Sequence, residues 1–104
     1  MTKNIFENSP KPTDKEFFEE LFSKEGVKIE RIVSYGHTTP ELEWYDQRRD
    51  EWVIVLKGEA VISFLNEDDV RLQAGDYINI PAHKKHRVSW TKPEEETVWL
   101  AVHC

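Results

Sequence analysis

From Val27 to His103 the chain is written in short alternating segments of apolar and polar residues, each closed by Gly, Pro or acidic turn residues. Such a pattern restricts it to a sandwich or barrel of antiparallel β-strands. Val27–Tyr35 holds one or two alternating segments, and Glu41–Gln47 leads into Glu51–Leu56. Lys57-Gly58 reads as a hairpin turn into Glu59–Leu65, followed by Val70–Leu72, Tyr77–Ile80, His86–Thr91 and Thr97–His103. The N-terminal part reads differently. Residues 1–12 form a polar arm, Thr13-Asp14-Lys15-Glu16 matches a helix capping box, and Phe17, Phe18, Leu21 and Phe22 recur at helical spacing. These features predict one short helix over about 14–24, stopped by Gly26. The expected organisation is a single domain, with arm and helix in 1–26 and a β-barrel in 27–104.

A length of 104 residues suits one domain. The formal net charge of −6 opposes contact with phosphate backbones or anionic lipid surfaces, so a nucleic-acid or membrane partner is not expected. The single cysteine, Cys104, allows no internal disulfide, and no signal-like or membrane-spanning apolar run is present. A cytoplasmic location is the expectation. The Gly residues are scattered, so no phosphate-binding loop is formed.

Two spacings carry the chemistry. Glu51 is followed after six residues by Gly58, and Gly75 is followed after five by Pro81 and then by His86. These resemble the second halves of the two signature motifs of the cupin superfamily, G-x5-H-x-H-x(3,4)-E-x6-G and G-x5-P-x-G-x2-H-x3-N. Trp44-Tyr45-Asp46-Gln47 and Ile80–Thr91 further resemble a group of small single-domain cupins. The resemblance, over about 27–103, implies an all-β jelly-roll barrel of two antiparallel sheets. It also implies a site where three imidazoles and a carboxylate hold a divalent metal, and a homodimer.

The departures are as informative. Counting back from Glu51, the two His positions hold Trp44 and Asp46 with the longer gap, or Tyr45 and Gln47 with the shorter. His83 stands where the family has Gly, and Trp90 where it has Asn. The candidate ligands of a divalent ion (Zn, Fe, Mn or Ni) are therefore Asp46, Glu51, His86 and His83, a chemically acceptable set. Gln47, Tyr45 and Trp90 are candidates for the substrate pocket. Each has a plainer alternative. Glu51 can pair with Arg48 or Arg87, His86 can be a satisfied core histidine, His83 can be a surface turn residue, and Asp46 can bond its own backbone.

The expected function is binding of, or action on, a small metabolite. Lys84, Lys85 and Arg87 would attract an anionic group. A metal-free binding or sensor pocket and a purely structural dimer are the alternatives. Whether the chain is an enzyme stays open at this level, because the fold hosts unrelated activities.

Overall fold

In a computed structural model, residues 1–9, 11 and 14–104 are described. They form eight strands: β1 (Phe17–Lys24), β2 (Val27–Ser34), β3 (Glu51–Lys57), β4 (Glu59–Phe64), β5 (Val70–Gln73), β6 (Tyr77–Ile80), β7 (His86–Thr91) and β8 (Thr97–His103). A five-stranded sheet in the order β1-β2-β8-β3-β6 faces a three-stranded sheet in the order β5-β4-β7. All pairings are antiparallel. No helix among the described residues is long and apolar enough to cross a membrane.

Period-two alternation builds the core. Val53 and Val55 on β3, Trp99 and Ala101 on β8, Ile32 on β2 and Ile80 on β6 turn inward from the larger sheet. Ala60, Ile62 and Phe64 on β4 and Leu72 on β5 meet them from the smaller one. Each large aliphatic side chain buried in this way stabilises the fold by roughly 1.5–3 kcal/mol.

The expected helix is not there. Phe17–Lys24 is the edge strand β1, paired with β2 through a tight turn at Glu25-Gly26 with φ of 34° and 83°. The register skips between Glu20 and Phe22, so Leu21 is an inserted residue. A bulge doubles one step of the alternation, and this is how apolar residues at 17, 18, 21 and 22 imitate helical spacing. Thr13, the cap of the predicted helix, lies outside the described residues. Lys57-Gly58 is not a hairpin either, since β3 and β4 belong to different sheets. At Gly58 the chain crosses from one sheet to the other.

Arg31 is buried on the outer face of β2, where it binds the N-terminal segment. Its guanidinium donates to the carbonyls of Ile5 (3.2 Å) and Glu7 (2.8 Å) and pairs with Glu19 (2.9 Å).

The crossing at Gly58 has no room for a side chain. Its φ is +90°, and a Cβ would lie 2.7 Å from Thr97 Cα and 2.8 Å from the Glu96 carbonyl oxygen. Gly75 has a similar φ of +93° but nothing within 4 Å. Gly58→Ala is therefore expected to cost roughly 3 kcal/mol or more, strain plus overpacking. Gly75→Ala should cost only about 1–2 kcal/mol of backbone strain. Urea unfolding of the two variants checks the ranking.

Candidate functional site

Glu51 opens β3, and alternation with Val53 and Val55 turns it into the barrel, where it is 8% exposed. His86 opens β7 in the opposite sheet and is 4% exposed. The two meet across the barrel, with His86 Nε2 3.5 Å from Glu51 Oε1. The other ring nitrogen, Nδ1, lies 2.8 Å from the Lys84 carbonyl. A carbonyl only accepts, so Nδ1 carries a proton. A proton facing Glu51 from Nε2 is then the second on the ring, and the charged imidazolium is the form that suits the pair. Burial works against that charge. Hydrogen bonds to Glu51 and to Lys84, and the charge of Glu51, outweigh it and raise the His86 pKa above the ordinary imidazole value.

The loop before β3 is pinned along β7. Tyr45 and His86 exchange backbone hydrogen bonds of 2.8 and 3.2 Å, Thr39 N–H donates to Val88 O, and His83 N–H donates to Gln47 O at 2.7 Å. This registration turns Tyr45 and Gln47 toward a cavity of about 100 Å³ that Glu51 and His86 also line. Trp44 and Asp46 are elsewhere: Arg87 covers the Trp44 ring, and Asp46 Oδ1 lies 2.9 Å from His83 Nδ1 in an exposed pair. The shorter gap is thus the one the fold uses. Tyr45 and Gln47 occupy the two places where the motif has histidines.

Of the residues expected to meet, the structure brings Glu51, His86, Tyr45 and Gln47 together in one cavity and leaves Asp46 and His83 outside its lining. His83 adopts a φ of 65°, the left-handed conformation that the motif's Gly supplies without cost, and its ring is directed to Asp46. Trp90 does not line the cavity. The register of β4 and β7 skips from Val61–Trp90 to Ile62–Val88, and this bulge breaks the inward series His86, Val88. Beyond it Thr91, not Trp90, is buried. None of the three expected cationic residues lines the cavity. Lys84 pairs with Glu67, Arg87 covers Trp44, and Lys85 is exposed.

Four further groups line the cavity that the sequence did not assign to a site. Glu30 on β2 and His103 on β8 form a second pair, 2.9 Å from Oε1 to Nε2, with side chains 13% and 10% exposed. Register sets His103 directly opposite Glu51, a relation that alternation along β8 could have revealed. Glu16, read as a helix cap, faces the same cavity and accepts a hydrogen bond from the Ser34 hydroxyl, whose oxygen accepts from Trp99 Nε1–H. Burial raises the Glu16 pKa against the lowering effects of Ser34 and His37. Phe18 of β1 completes this side.

A family model described as a cupin domain matches residues 32–103. The chain belongs to the cupin family. A crystal structure from Ralstonia eutropha JMP134, of a protein provisionally named a mannose-6-phosphate isomerase, is 43% identical and superposes with a TM-score of 0.95, covering 100% of this cupin and 97% of that chain. A cupin superfamily protein from Desulfitobacterium hafniense DCB-2 shares the fold at 21% identity and TM-score 0.75, over 91% and 82% of the two chains. Among curated proteins, the acireductone dioxygenase of Bacillus pumilus is 28% identical over 80 residues, 65% of this cupin and 46% of that enzyme. The cupin thus spans less than half of that relative's length.

Metal binding is common in the family, and the donor set here tests it. Glu51 and His86 are strong donors, but Gln47 offers an amide carbonyl and Tyr45 a phenol. The Tyr45 pKa is raised by burial, opposed by a hydrogen bond with Thr39, and raised further by the charges of Glu16, Glu51 and Glu43. Among the described residues no three His, Cys, Asp or Glu side chains converge on one point. This falls short of the three or four good donors that hold a transition metal tightly.

His86 is expected to titrate above the ordinary imidazole value. Because its folded pKa is raised, the pair contributes stability at pH below the unfolded value, and that contribution is lost as pH rises through the folded one. In Glu51→Gln, burial acts with less opposition and the His86 pKa falls. NMR titration of the ring in both proteins measures this; an unchanged value in the variant would contradict the pairing.

Proposed function

We propose that this cupin takes a small, uncharged, hydroxyl-bearing carbonyl compound into its barrel cavity, and that Glu51 and His86 exchange protons with it. The observation that carries the reading is Gln47 Oε1, which is buried without a hydrogen-bond partner among the described residues, on a side chain that lines the cavity. A buried acceptor left unpaired costs about 1–3 kcal/mol, so the wall is complete only when something donates to it. Glu16, Glu30 and Glu51 add acceptors to the lining, and it contains no Lys or Arg. Hydroxyl groups suit such a wall and a phosphate does not. The volume of about 100 Å³ suits a small compound, or one end of a larger one.

The chemistry follows from the pair. His86 Nε2–H donates to the carbonyl oxygen, and the Glu51 carboxylate removes the proton from the neighbouring hydroxyl-bearing carbon. As the imidazolium releases its proton to the oxygen, the product is a neutral enediol. No electrons leave the compound. Two relatives, named a mannose-6-phosphate isomerase and an acireductone dioxygenase, support a carbonyl substrate, but the phosphate in the first name is a group that this lining does not suit.

The rival occupant is a divalent ion held by Asp46, Glu51, His86 and His83. It is favoured by the acireductone dioxygenase relationship and requires the exposed Asp46–His83 pair to turn inward. We also propose a homodimer through the β1 edge, where Phe18, Leu21 and Phe22 are 52%, 45% and 52% exposed.

Incubation with dihydroxyacetone in D2O, followed by NMR, tests the reading. Deuterium should enter the carbon-bound positions faster than in buffer, and Glu51→Gln and His86→Asn should each slow this by about 10²-fold or more. Chelation should leave the rate unchanged. Exchange no faster than in buffer, or a stoichiometric metal whose removal abolishes exchange, would sink the metal-free reading.

A further inference from the structure

We infer that His103, held by Glu30, is a second proton-transferring residue of the cavity, and that together with Glu51 and His86 it moves a carbonyl between adjacent carbons of an α-hydroxycarbonyl compound. The inference rests on the role proposed above for Glu51 and His86.

The arrangement is set by register. Ile80 on β6, Glu51 on β3, His103 on β8 and Lys28 on β2 form one row across the larger sheet, each the Cα partner of the next. Glu51 and His103 are thus neighbours on the inner face, and both line the cavity. Glu30 follows Lys28 by two residues, so it shares that face, and its carboxylate reaches His103 Nε2 at 2.9 Å. A carboxylate accepts, so it draws the ring proton to Nε2 and leaves Nδ1 as the basic nitrogen. A carboxylate that orients an imidazole and fixes its tautomer is the arrangement that prepares a histidine to take a proton. A stabilising role explains the pair less well, since desolvation of two nearly buried groups offsets most of their attraction.

The reaction balances on these residues alone. Glu51 takes the proton from the hydroxyl-bearing carbon, and His86 gives one to the carbonyl oxygen, yielding the enediol. His103 then takes the proton from the second hydroxyl oxygen, whose carbon becomes the new carbonyl. Protonated Glu51 returns its proton to the carbon that held the old one. The compound has changed neither its atoms nor its oxidation level. The enzyme ends with one proton fewer on His86 and one more on His103, and exchange with water resets it.

Two readouts separate the steps. Glyceraldehyde is incubated in D2O, and deuterium entry into its carbon-bound position is followed together with its conversion to dihydroxyacetone. Deuterium entry needs only Glu51 and His86, and conversion also needs His103. In His103→Asn, and in the more conservative Glu30→Gln, the ratio of conversion to deuterium entry should fall by about 10²-fold. A ratio equal to wild type in both folded variants, with urea unfolding confirming the fold, would overturn the role of His103. Deuterium entry without conversion in the wild-type protein would overturn the inference and leave the proposed role of Glu51 and His86 standing. Absence of both in the wild type would overturn the two together.

Discussion

A carboxylate turned into an apolar barrel costs several kcal/mol unless a cation or a network of donors meets it. Glu51 is such a group, and the partner that meets it, His86, comes from the opposite sheet. Much of the local architecture serves this meeting. Asp50 and Cys104 exchange backbone hydrogen bonds of 3.1 and 3.0 Å, which fixes the start of β3 against the end of β8. The Asp50 carboxylate accepts from Ala82 N–H at 2.8 Å and so ties the turn before β7 to the same point. The Lys84 carbonyl holds the imidazole from behind. Loops from both motifs thus converge on one ion pair. The two sheets are joined at this end of the barrel by chemistry, not by apolar packing alone.

The strands and the central pair were legible because local rules and tertiary structure agree there. Glu51 begins a strand whose alternation is unbroken through Val53 and Val55, and His86 one whose alternation holds as far as Val88, so spacing aims both side chains. Where bulges intervene, the same rule misleads. One at Leu21 lets an edge strand imitate a helix, and one between Val88 and Trp90 turns Trp90 away from the cavity. A bulge is a decision made by a pair of strands, and a single strand's sequence carries little trace of it. The crossing at Gly58 was hidden for a related reason. A glycine with φ of +90° serves a hairpin and a change of sheet equally well, and only the crowding by Thr97 and Glu96 distinguishes them.

The choice between two motif counts shows how a backbone decides chemistry. With the longer gap the site would hold Asp46, an anionic ligand. With the shorter one it holds Gln47 and Tyr45, a neutral acceptor and a phenol kept neutral by burial and nearby charge. Backbone bonds between Tyr45 and His86, and between Gln47 and His83, select the shorter. Asp46 then faces outward and engages His83, a residue held at a φ that Gly would adopt more cheaply. The strain there is roughly 1–2 kcal/mol, and a hydrogen bond to Asp46 and another from its own N–H to Gln47 O offset it. The residue that replaced the motif's Gly thus clamps the loop that replaced its histidines.

Glu30 and His103 escaped notice because nothing local marks them. Each sits in an ordinary alternating strand, 73 residues apart, and only the β2–β8–β3 register brings them beside Glu51. Once they are counted, the cavity carries three carboxyl groups and two imidazoles, with no Lys or Arg in its lining. Burial raises the Glu16 pKa, while the Ser34 hydroxyl that donates to its carboxylate acts the other way. A lining that sets three carboxyl groups beside two imidazoles disfavours an added negative charge and places proton donors and acceptors side by side. For an uncharged ligand that must gain a proton at one atom and lose one at the next, such a lining is better matched than one built around a single fixed cation.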